Sequence, residues 1–531
     1  MDADAILKDK AQVTHATGVV GKATMLSRIL GAVRDILFAS FFGAGMVSDA
    51  FIAAFRLPNM LRRMFGEGSL SLVFVPVFTD CLIHRGQGEA RRMAASALRL
   101  LALILALVSV AGIFLAPWLV RLLAPGFVQW PEKFALTVQL AGIMMPYIFF
   151  VGLVALCMGI LNVLGHFAAP ALAPVFLNLA MITTMLITMV YVPEDTARSI
   201  WLAAGVLIGG GWQLMLQMPF LMRYKIHFWR GMGIWHPELK RVLVLLGPVL
   251  FSAAVYQINS VVITLLATTL PQGSVSYLYY ADRLIQLPLG VFGFATATAV
   301  LPALSRQAAG RQWEALRHTF AHAISLIFFI TLPAMVGLIV LRGAIVELLF
   351  QRGAFDAHAT RLTADALLYY GIGLWSFAAL RVVLNLFFAL QDTRTPLKVA
   401  VLTVAANLVF GLALMRPMGH DGLALALALA SVVQLMVLVS VLRRKMGAMG
   451  WRVMAFSIAR SGLCAAIMGV AVWAGSLWLL PGANTGGIQL LAGVTACIML
   501  GVVVFSSLAY AMGAPELKEV MAMVFQRSSK R

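Results

Sequence analysis

Long apolar stretches, separated by short polar connections, follow one another along the whole chain. A membrane-spanning helix needs about 20 predominantly apolar residues, and stretches of this kind recur from residue 17 to residue 512. The pattern predicts fourteen spans and a further half-helix near residues 69–84. The predicted spans cover residues 17–42, 47–66, 92–120, 133–163, 168–192, 199–221, 241–270, 274–304, 315–341, 360–389, 396–415, 420–442, 453–480 and 487–512. We therefore expect an all-α polytopic membrane protein.

Composition and charge support this class. Of the 531 residues 61% are hydrophobic and only 11% are charged, whereas a soluble protein has about 25% charged residues. The net charge of +19 is distributed unevenly: with a cytoplasmic N-terminus, 23 Lys and Arg lie on the predicted cytoplasmic side and 7 on the other. The positive-inside rule explains this bias and predicts that both termini are cytoplasmic. We expect no nucleic-acid partner.

The chain also matches itself at an offset of 226 residues. Pro76 aligns with Pro302, and Pro170 aligns with Pro396 in the same ungapped register. The offset corresponds to six predicted spans, so both copies have the same orientation. Parallel repeats of this kind occur in transporters whose halves rock against each other; an old duplication without moving parts is the alternative. We predict an N-terminal lobe (1–225), a C-terminal lobe (226–450) and a final helix pair with a tail (451–531).

Charged residues interrupt the first predicted span. Arg28, Gly31 and Asp35 are spaced three and four residues apart and form one helical face, with Arg34 beside them. An ionised side chain inside the bilayer costs roughly 2.5–3.5 kcal/mol or more. These side chains must therefore contact water, one another or a ligand.

Two other predicted spans carry similar charges. The second span has Asp49, Arg56 and Arg63 at intervals of seven residues. Asn59 and Arg62 lie beside that stripe, and Glu67 follows at its end. The span that begins at residue 274 contains Asp282, Arg283 and Gln286, with Tyr280 one turn before Arg283. Pro58 and Pro288 are expected to break or kink these helices, which is tolerated where the backbone lines a cavity.

The arginines outnumber the acids near them, which predicts a hydrated cavity with excess positive charge. Guanidinium groups bind phosphate oxygens bidentately and keep their charge at working pH. We therefore predict a site for phosphate or pyrophosphate between the two lobes. The alternatives are that Arg62 and Arg63 extend to the membrane surface and that Arg34 and Asp35 form a structural pair. Purely structural roles remain a further alternative for Arg28 and Arg283.

Other chemistry has weak support in the sequence. No Walker loop, Gly-x-Ser-x-Gly motif or dense aspartate cluster is found, and the four cysteines have no disulfide-like or metal-like spacing. Gln257, Asn259, Asn407 and Asp421 could bind a coupling cation, although ordinary hydrogen bonds between helices are the favoured interpretation. Gly205 and Gly209 indicate close helix packing.

Several motifs together resemble the MurJ lipid II flippases (MviN-like proteins) of the multidrug/oligosaccharidyl-lipid/polysaccharide (MOP) exporter superfamily. The resemblance covers essentially the whole chain. Its motifs are SRILGAVRD (27–35), FGAGMVSDAFIAAFRLPNMLRR (42–63), EGSLSLVFVP (67–76), APGF (124–127), YYADRLIQLPLGVFG (279–293), LPALSR (301–306) and QDTRTP (391–396).

The resemblance implies fourteen helices, in two six-helix lobes that form a V around a cationic cavity, and a final pair that binds a polyprenyl tail. It implies a transporter rather than an enzyme, located in the bacterial inner membrane. Its activity would be the export of undecaprenyl-pyrophosphate-linked muropeptide, lipid II, for peptidoglycan synthesis by alternating access. The alternatives are a flippase for another polyprenyl-linked oligosaccharide and, in a different class, a membrane-embedded glycosyl- or phosphotransferase.

The motif positions, together with the charge pattern, give the expected site. Substrate binding is assigned to Ser27, Arg28, Arg34, Asn59, Arg62, Arg283 and Gln286, and charge balancing or gating to Asp35, Asp49, Glu67 and Asp282. Relatives often have an acidic residue where this chain has Gln286, which leaves Arg283 less neutralised. We expect no metal and no cofactor, with a coupling cation or the membrane potential as the energy source. The expected partners are lipid II and membrane lipids, with cell-wall synthesis proteins as candidates, and the expected state is a monomer.

Overall fold

The regular secondary structure of the described residues is helical. The structure, a computed structural model, describes residues 3–66, 69–227, 233–290, 294–447, 450–480 and 487–525. The chain divides into two compact units, Met1–Gly273 and Ser274–Arg531. The first unit contains α1 (Ala3–Phe42), α2 (Met46–Gly66), α3 (Ser69–Leu123), a 3-10 helix (Pro125–Gln129), α4 (Pro131–Met144), α5 (Tyr147–Val163), α6 (Ala168–Tyr191), α7 (Asp195–Arg223) and α8 (Pro237–Thr268).

The second unit contains eleven helices within the described ranges. They are α9 (Ser274–Pro288), α10 (Phe294–Ala309), α11 (Trp313–Val340), α12 (Arg342–Phe350), α13 (Ala357–Ile372), α14 (Leu374–Ala389), α15 (Arg394–Met418), α16 (His420–Met446), α17 (Trp451–Leu479), α18 (Gly487–Ala511) and α19 (Pro515–Phe525). The division at 273/274 puts α8 in the first unit, where it packs on α2 and α3. The predicted boundaries at 225/226 and 450/451 follow the repeat instead, and they stay predictions.

Among the described residues, nine helical spans are long and apolar enough to cross a membrane when α4 and α5 (Pro131–Val163) are counted as one span. The number is ten if the bent pair α13–α14 is also counted as one span. These ten coincide with ten of the fourteen predicted spans. The other four are the first two spans of each repeat copy, namely α1, α2, α8 and the α9–α10 pair. All the predicted site residues lie on or directly after three of these helices, α1, α2 and α9. The most polar helices thus carry the candidate chemistry.

The continuity of the helices agrees with the prediction at Gly86 and Pro288 and differs from it within the span at 133–163. The chain breaks at Gly86 (φ 81°) between the predicted half-helix and the span at 92–120. The predicted span at 133–163 is two helices, α4 and α5. The span at 274–304 is also two helices, and the first of them ends at Pro288 as expected. Pro58, in contrast, lies inside α2 without interrupting it; a break does not occur at that proline, and a kink there stays a prediction.

The helix bounds recur at the predicted offset of 226 residues. The matching bounds are the ends of α1 and α8 (Phe42 and Thr268), the starts of α4 and α13 (Pro131 and Ala357), the ends of α5 and α14 (Val163 and Ala389) and the starts of α6 and α15 (Ala168 and Arg394). Bounds that repeat without a gap indicate that both copies use the same sequence signals to begin and end their helices.

The turns that follow α5 and α14 show the repeat at the level of single hydrogen bonds. Gly165 and Gln391 occupy the same repeat position, and both have positive φ, 81° and 59°. In the first copy the amide of His166 donates to the carbonyl of Leu161 at 2.8 Å. The equivalent bond in the second copy runs from Asp392 to Phe387 at 2.9 Å. This hydrogen-bond pattern at a helix end places one residue in the left-handed region, at position 165 or 391. Glycine is favoured there, because other residues are strained in that region.

We expect Gln391→Gly to stabilise the protein by roughly 0.5–1 kcal/mol, because the relief of left-handed strain exceeds the greater freedom of glycine in the unfolded chain. The reverse change at the equivalent position, Gly165→Gln, should destabilise it. Thermal unfolding in detergent measures both. Unfolding temperatures that shift in the same direction for the two variants, or a Gln391→Gly variant that is less stable than the parent, would contradict the strain argument.

α6, the helix next to α1, is closely packed against α7. α1 packs on α6, and α6 packs on α7. A Cβ atom on Gly205 would lie 2.5 Å from the hydroxyl of Thr184, and one on Gly209 would lie 2.9 Å from Leu177. The interpretation of these two glycines as a close-packing motif is confirmed. α6 is therefore held firmly against α7 and forms the support for α1.

Candidate functional site

The charged face of α1 is organised by an asparagine from α6. The Nε and Nη2 atoms of Arg34 donate to Asp35 Oδ1 at 3.0 and 2.7 Å. Arg34 Nη1 donates to Asn178 Oδ1 at 3.0 Å, and Asn178 Nδ2 donates to the carbonyl of Ser27 at 3.0 Å. The side chains of Arg34 and Asp35 are only 14% and 9% exposed. This arrangement favours the structural alternative for Arg34 and Asp35, and it links them to Ser27.

Arg28 is in a different environment. It is exposed on α1, and within the described part of the chain the structure gives it no hydrogen bond or ion pair. Its neighbours on the same helix, Met25 and Ile29, are 67% and 52% exposed. Arg28 therefore lies at the surface of the first unit, and its role in substrate binding stays a prediction.

Two residues of the predicted site on α2 come together. Arg62 Nε donates to Asn59 Oδ1 at 3.0 Å, across one helical turn. One turn before Asn59, Arg56 Nη2 donates to both the carbonyl and the hydroxyl of Ser260 on α8, each at 2.7 Å. Arg62 thus shares a half-buried polar surface with Asn59, and Arg56 joins α2 to α8.

Asp49 forms a buried ion pair that the sequence did not indicate. Lys133 Nζ lies 2.7 Å from Asp49 Oδ2, and these side chains are 6% and 1% exposed. The amide of Gly273 donates to the same oxygen at 2.8 Å, and the ammonium group lies 4.2 Å from the ring centre of Phe127. The sequence pattern placed Lys133 among the basic residues of the outer side. A lysine therefore balances the Asp49 carboxylate, whereas the prediction concerned arginines.

In the second unit, Arg283 lies against an aromatic side chain of its own helix, α9. Arg283 Nη2 lies 3.2 Å from the hydroxyl of Tyr279, and its guanidinium carbon lies 4.7 Å from the centre of that ring. Tyr280, the tyrosine chosen from the sequence, is fully buried against Phe350 and Phe355. The sequence noted Tyr280 one turn before Arg283, and the structure shows that the ring beside the guanidinium group is that of Tyr279, four residues before it.

Gln286 binds a neighbour on its own helix. Its amide nitrogen donates to Asp282 Oδ2 at 2.5 Å. Both residues of the predicted site thus share a hydrogen bond on the face that also carries Arg283. Glu67 lies outside the described residues, so its predicted role has no structural counterpart here.

The QDTRTP motif contains a strongly held carboxylate. Asp392 accepts hydrogen bonds from the amide and hydroxyl of Thr395, at 3.0 and 2.7 Å, and from Lys445. Burial opposes ionisation of this group, but these three donors and the positive charge of Lys445 lower its pKa to about 2. The motif therefore fastens the α14–α15 turn to the end of α16.

A metal centre is not evident in the part of the chain that the structure describes, which holds no group of three or more His, Cys, Asp or Glu with suitable positions. All four cysteines are buried and unpaired, as their spacing predicted. His322 is paired with Glu519 of α19 at 2.8 Å.

Comparison with known proteins identifies the family. The family model described as lipid II flippase MurJ matches residues 38–485. The probable lipid II flippase MurJ of Vibrio cholerae is 33% identical over 95% of this chain and 97% of its own length. The lipid II flippase MurJ of Burkholderia cenocepacia is 32% identical over 92% and 95%.

Solved structures agree with this assignment. A structure titled "Lipid II flippase MurJ, inward closed conformation" has a TM-score of 0.76 and 26% identity, and it covers 93% of this chain and 99% of its own. An inward-facing MATE transporter of the MOP superfamily shares the fold, with a TM-score of 0.67, 16% identity and coverage of 81% and 98%. The relatives are transporters rather than enzymes. The chain is a multi-pass membrane protein that belongs to the MurJ lipid II flippase family.

Proposed function

We propose that this chain is a lipid II flippase. It moves the undecaprenyl-pyrophosphate-linked peptidoglycan precursor from the cytoplasmic to the periplasmic leaflet of the bacterial inner membrane. The chemistry of the cargo fits the residues available: a pyrophosphate carries several anionic oxygens, and guanidinium groups bind such oxygens bidentately. Two relatives that match over 97% and 95% of their own length are described as a probable lipid II flippase and a lipid II flippase.

The exposed position of Arg28 is the observation that carries the proposal. A guanidinium group that faced lipid would cost roughly 2.5–3.5 kcal/mol or more, and no acidic partner within the described residues offsets that cost for Arg28. A charge kept at this cost within a predicted membrane span is expected to have an anionic ligand. Arg62, held by Asn59, and Arg283, against Tyr279, supply two further guanidinium groups.

The transport cycle we propose is alternating access. Two six-helix lobes and a final pair, fourteen helices in all, enclose a central cavity lined by these arginines. The gapless repeat of helix bounds supports two lobes of equal design, and rocking of paired repeats is a common transport mechanism. The cargo drives the change only if it binds the two states with different affinity. Asp35, Asp49, Glu67 and Asp282 would balance charge or act as gates as the states exchange.

The proposed orientation has both termini in the cytoplasm, as the distribution of Lys and Arg predicts. The proposed state is a monomer. The energy source is a coupling cation or the membrane potential, which acts on every charge that moves across the field.

Reconstitution tests the function directly. Purified protein in vesicles that contain labelled lipid II, with no second substrate, should make the label accessible from the opposite side. A strain depleted of its lipid II exporter should grow when it produces this chain. Movement of a different polyprenyl-linked oligosaccharide, with lipid II left in place, would contradict the proposal. Conversion of lipid II to a new product would do so as well.

A further inference from the structure

Asn178 is the residue outside the expected site that contacts it most directly. It lies on α6 and is 6% exposed. Its amide reaches two groups of α1, the guanidinium of Arg34 and the carbonyl of Ser27, each at 3.0 Å. An arginine can only donate and a carbonyl can only accept, so these two partners permit one orientation of the amide.

The two contacts lie on the same face of α1, since Ser27 and Arg34 are seven residues, almost two turns, apart. Gly31 lies between them, and a Cβ atom at that position would be 3.7 Å from Asn178 Nδ2. One side chain thus spans two turns of α1. A contact of this kind opposes rotation of the helix about its own axis.

The charge distribution makes that rotation important. Arg34 and Asp35 neutralise each other, whereas Arg28 has no ion pair within the described residues. Arg28 follows Ser27 directly in the chain, so a rotation of α1 that broke the hydrogen bond to the Ser27 carbonyl would also turn the side of the helix from which Arg28 extends.

We propose that Asn178 is a positioning residue for substrate binding: by holding Arg34 and the Ser27 carbonyl, it sets the rotation of α1 and so directs Arg28 toward the anionic group of the substrate. The inference rests on the proposed function, because it acts through Arg28. Asn178 itself need not contact the substrate.

The test measures equilibrium binding of labelled lipid II to the purified full chain in detergent. Asn178→Leu removes both hydrogen bonds and should weaken binding about tenfold, since a hydrogen bond to a charged group is lost. Thr188→Val is the matched control, because Thr188 is buried on the same helix and bonds only to carbonyls of that helix in the hydrogen bonds seen. It should bind lipid II like the parent protein.

A double-mutant cycle distinguishes positioning from a purely structural role. If Asn178 acts through Arg28, Asn178→Leu should have almost no further effect on binding in an Arg28→Ala background. A general loss of fold would weaken binding by the same factor in both backgrounds. Equal factors would overturn the inference.

Further variants cover the remaining outcomes. Asn178→Asp can still accept from Arg34 but cannot donate to Ser27, so it should also weaken binding; binding equal to the parent would overturn the inference. If neither variant folds while Thr188→Val does, Asn178 serves the fold and the inference is likewise overturned. Failure of the proposed function gives a separate result, in which Arg28→Ala alone leaves lipid II binding unchanged.

Discussion

Arg28→Ala is expected to abolish lipid II translocation while leaving the protein folded. The side chain is exposed and makes no ion pair within the described residues, so its removal breaks no internal contact that the structure shows. A hydrogen bond to a charged group contributes about 1.5–3 kcal/mol, which corresponds to a loss of affinity of roughly ten- to a hundredfold. Initial translocation rates in vesicles, and growth of the depleted strain, measure the effect.

Two further variants define what Arg28 contributes. Lys22→Ala removes another exposed cation from the same helix and should leave transport unchanged. Arg28→Lys keeps the charge but loses the planar fork and should be intermediate, because lysine does not reproduce bidentate binding. Full activity of Arg28→Ala at normal expression would refute the anion site.

Loss of Lys133 should produce the largest change in stability. Lys133→Met leaves a carboxylate that is 1% exposed without its ammonium partner, and removing one member of a buried pair costs about 3–5 kcal/mol. The unfolding temperature in detergent should fall markedly. The Asp49→Asn, Lys133→Met double variant should recover part of the loss, since no uncompensated charge then remains.

The control for this prediction is an exposed ion pair of the same unit. Arg92 lies 2.8 Å from Glu89, with the two side chains 78% and 39% exposed. Arg92→Ala should change stability by less than about 1 kcal/mol. An unfolding temperature for Lys133→Met equal to that of the parent, or strictly additive losses in the double variant, would contradict the role of the pair.

The sequence predicted the helices and the repeat well, because both depend on local signals. Apolar length predicted ten spans that the structure contains, and the offset of 226 residues recurs in the helix bounds. The sequence also identified the polar helices that carry the candidate site. The interruption between α4 and α5 lies inside an apolar stretch and gave no comparable signal, so it was predicted as one span at 133–163.

The partners of the charged residues could not be predicted in the same way. Asn178 lies 144 residues from Arg34, and Lys133 lies 84 residues from Asp49. Such pairs are set by tertiary packing, and a single asparagine in an apolar helix or a lysine near a predicted loop does not reveal them. Even the local contact of Arg283 with Tyr279 could not be predicted without knowing which of the two adjacent tyrosines is buried in the core. The structure shows that it is Tyr280.

The position of α8 in the sequence repeat differs from its position in the fold. It opens the second repeat copy, yet it is held in the first unit by Arg56 at Ser260, by Asp80 at Arg241 and by the Gly126 amide at Thr268. A protein expressed as two fragments would therefore reassemble poorly if it were severed before α8 and better if it were severed after Gly273. The predicted repeat boundary at 225/226 therefore differs from the point at which the folded chain divides into compact units, after Gly273.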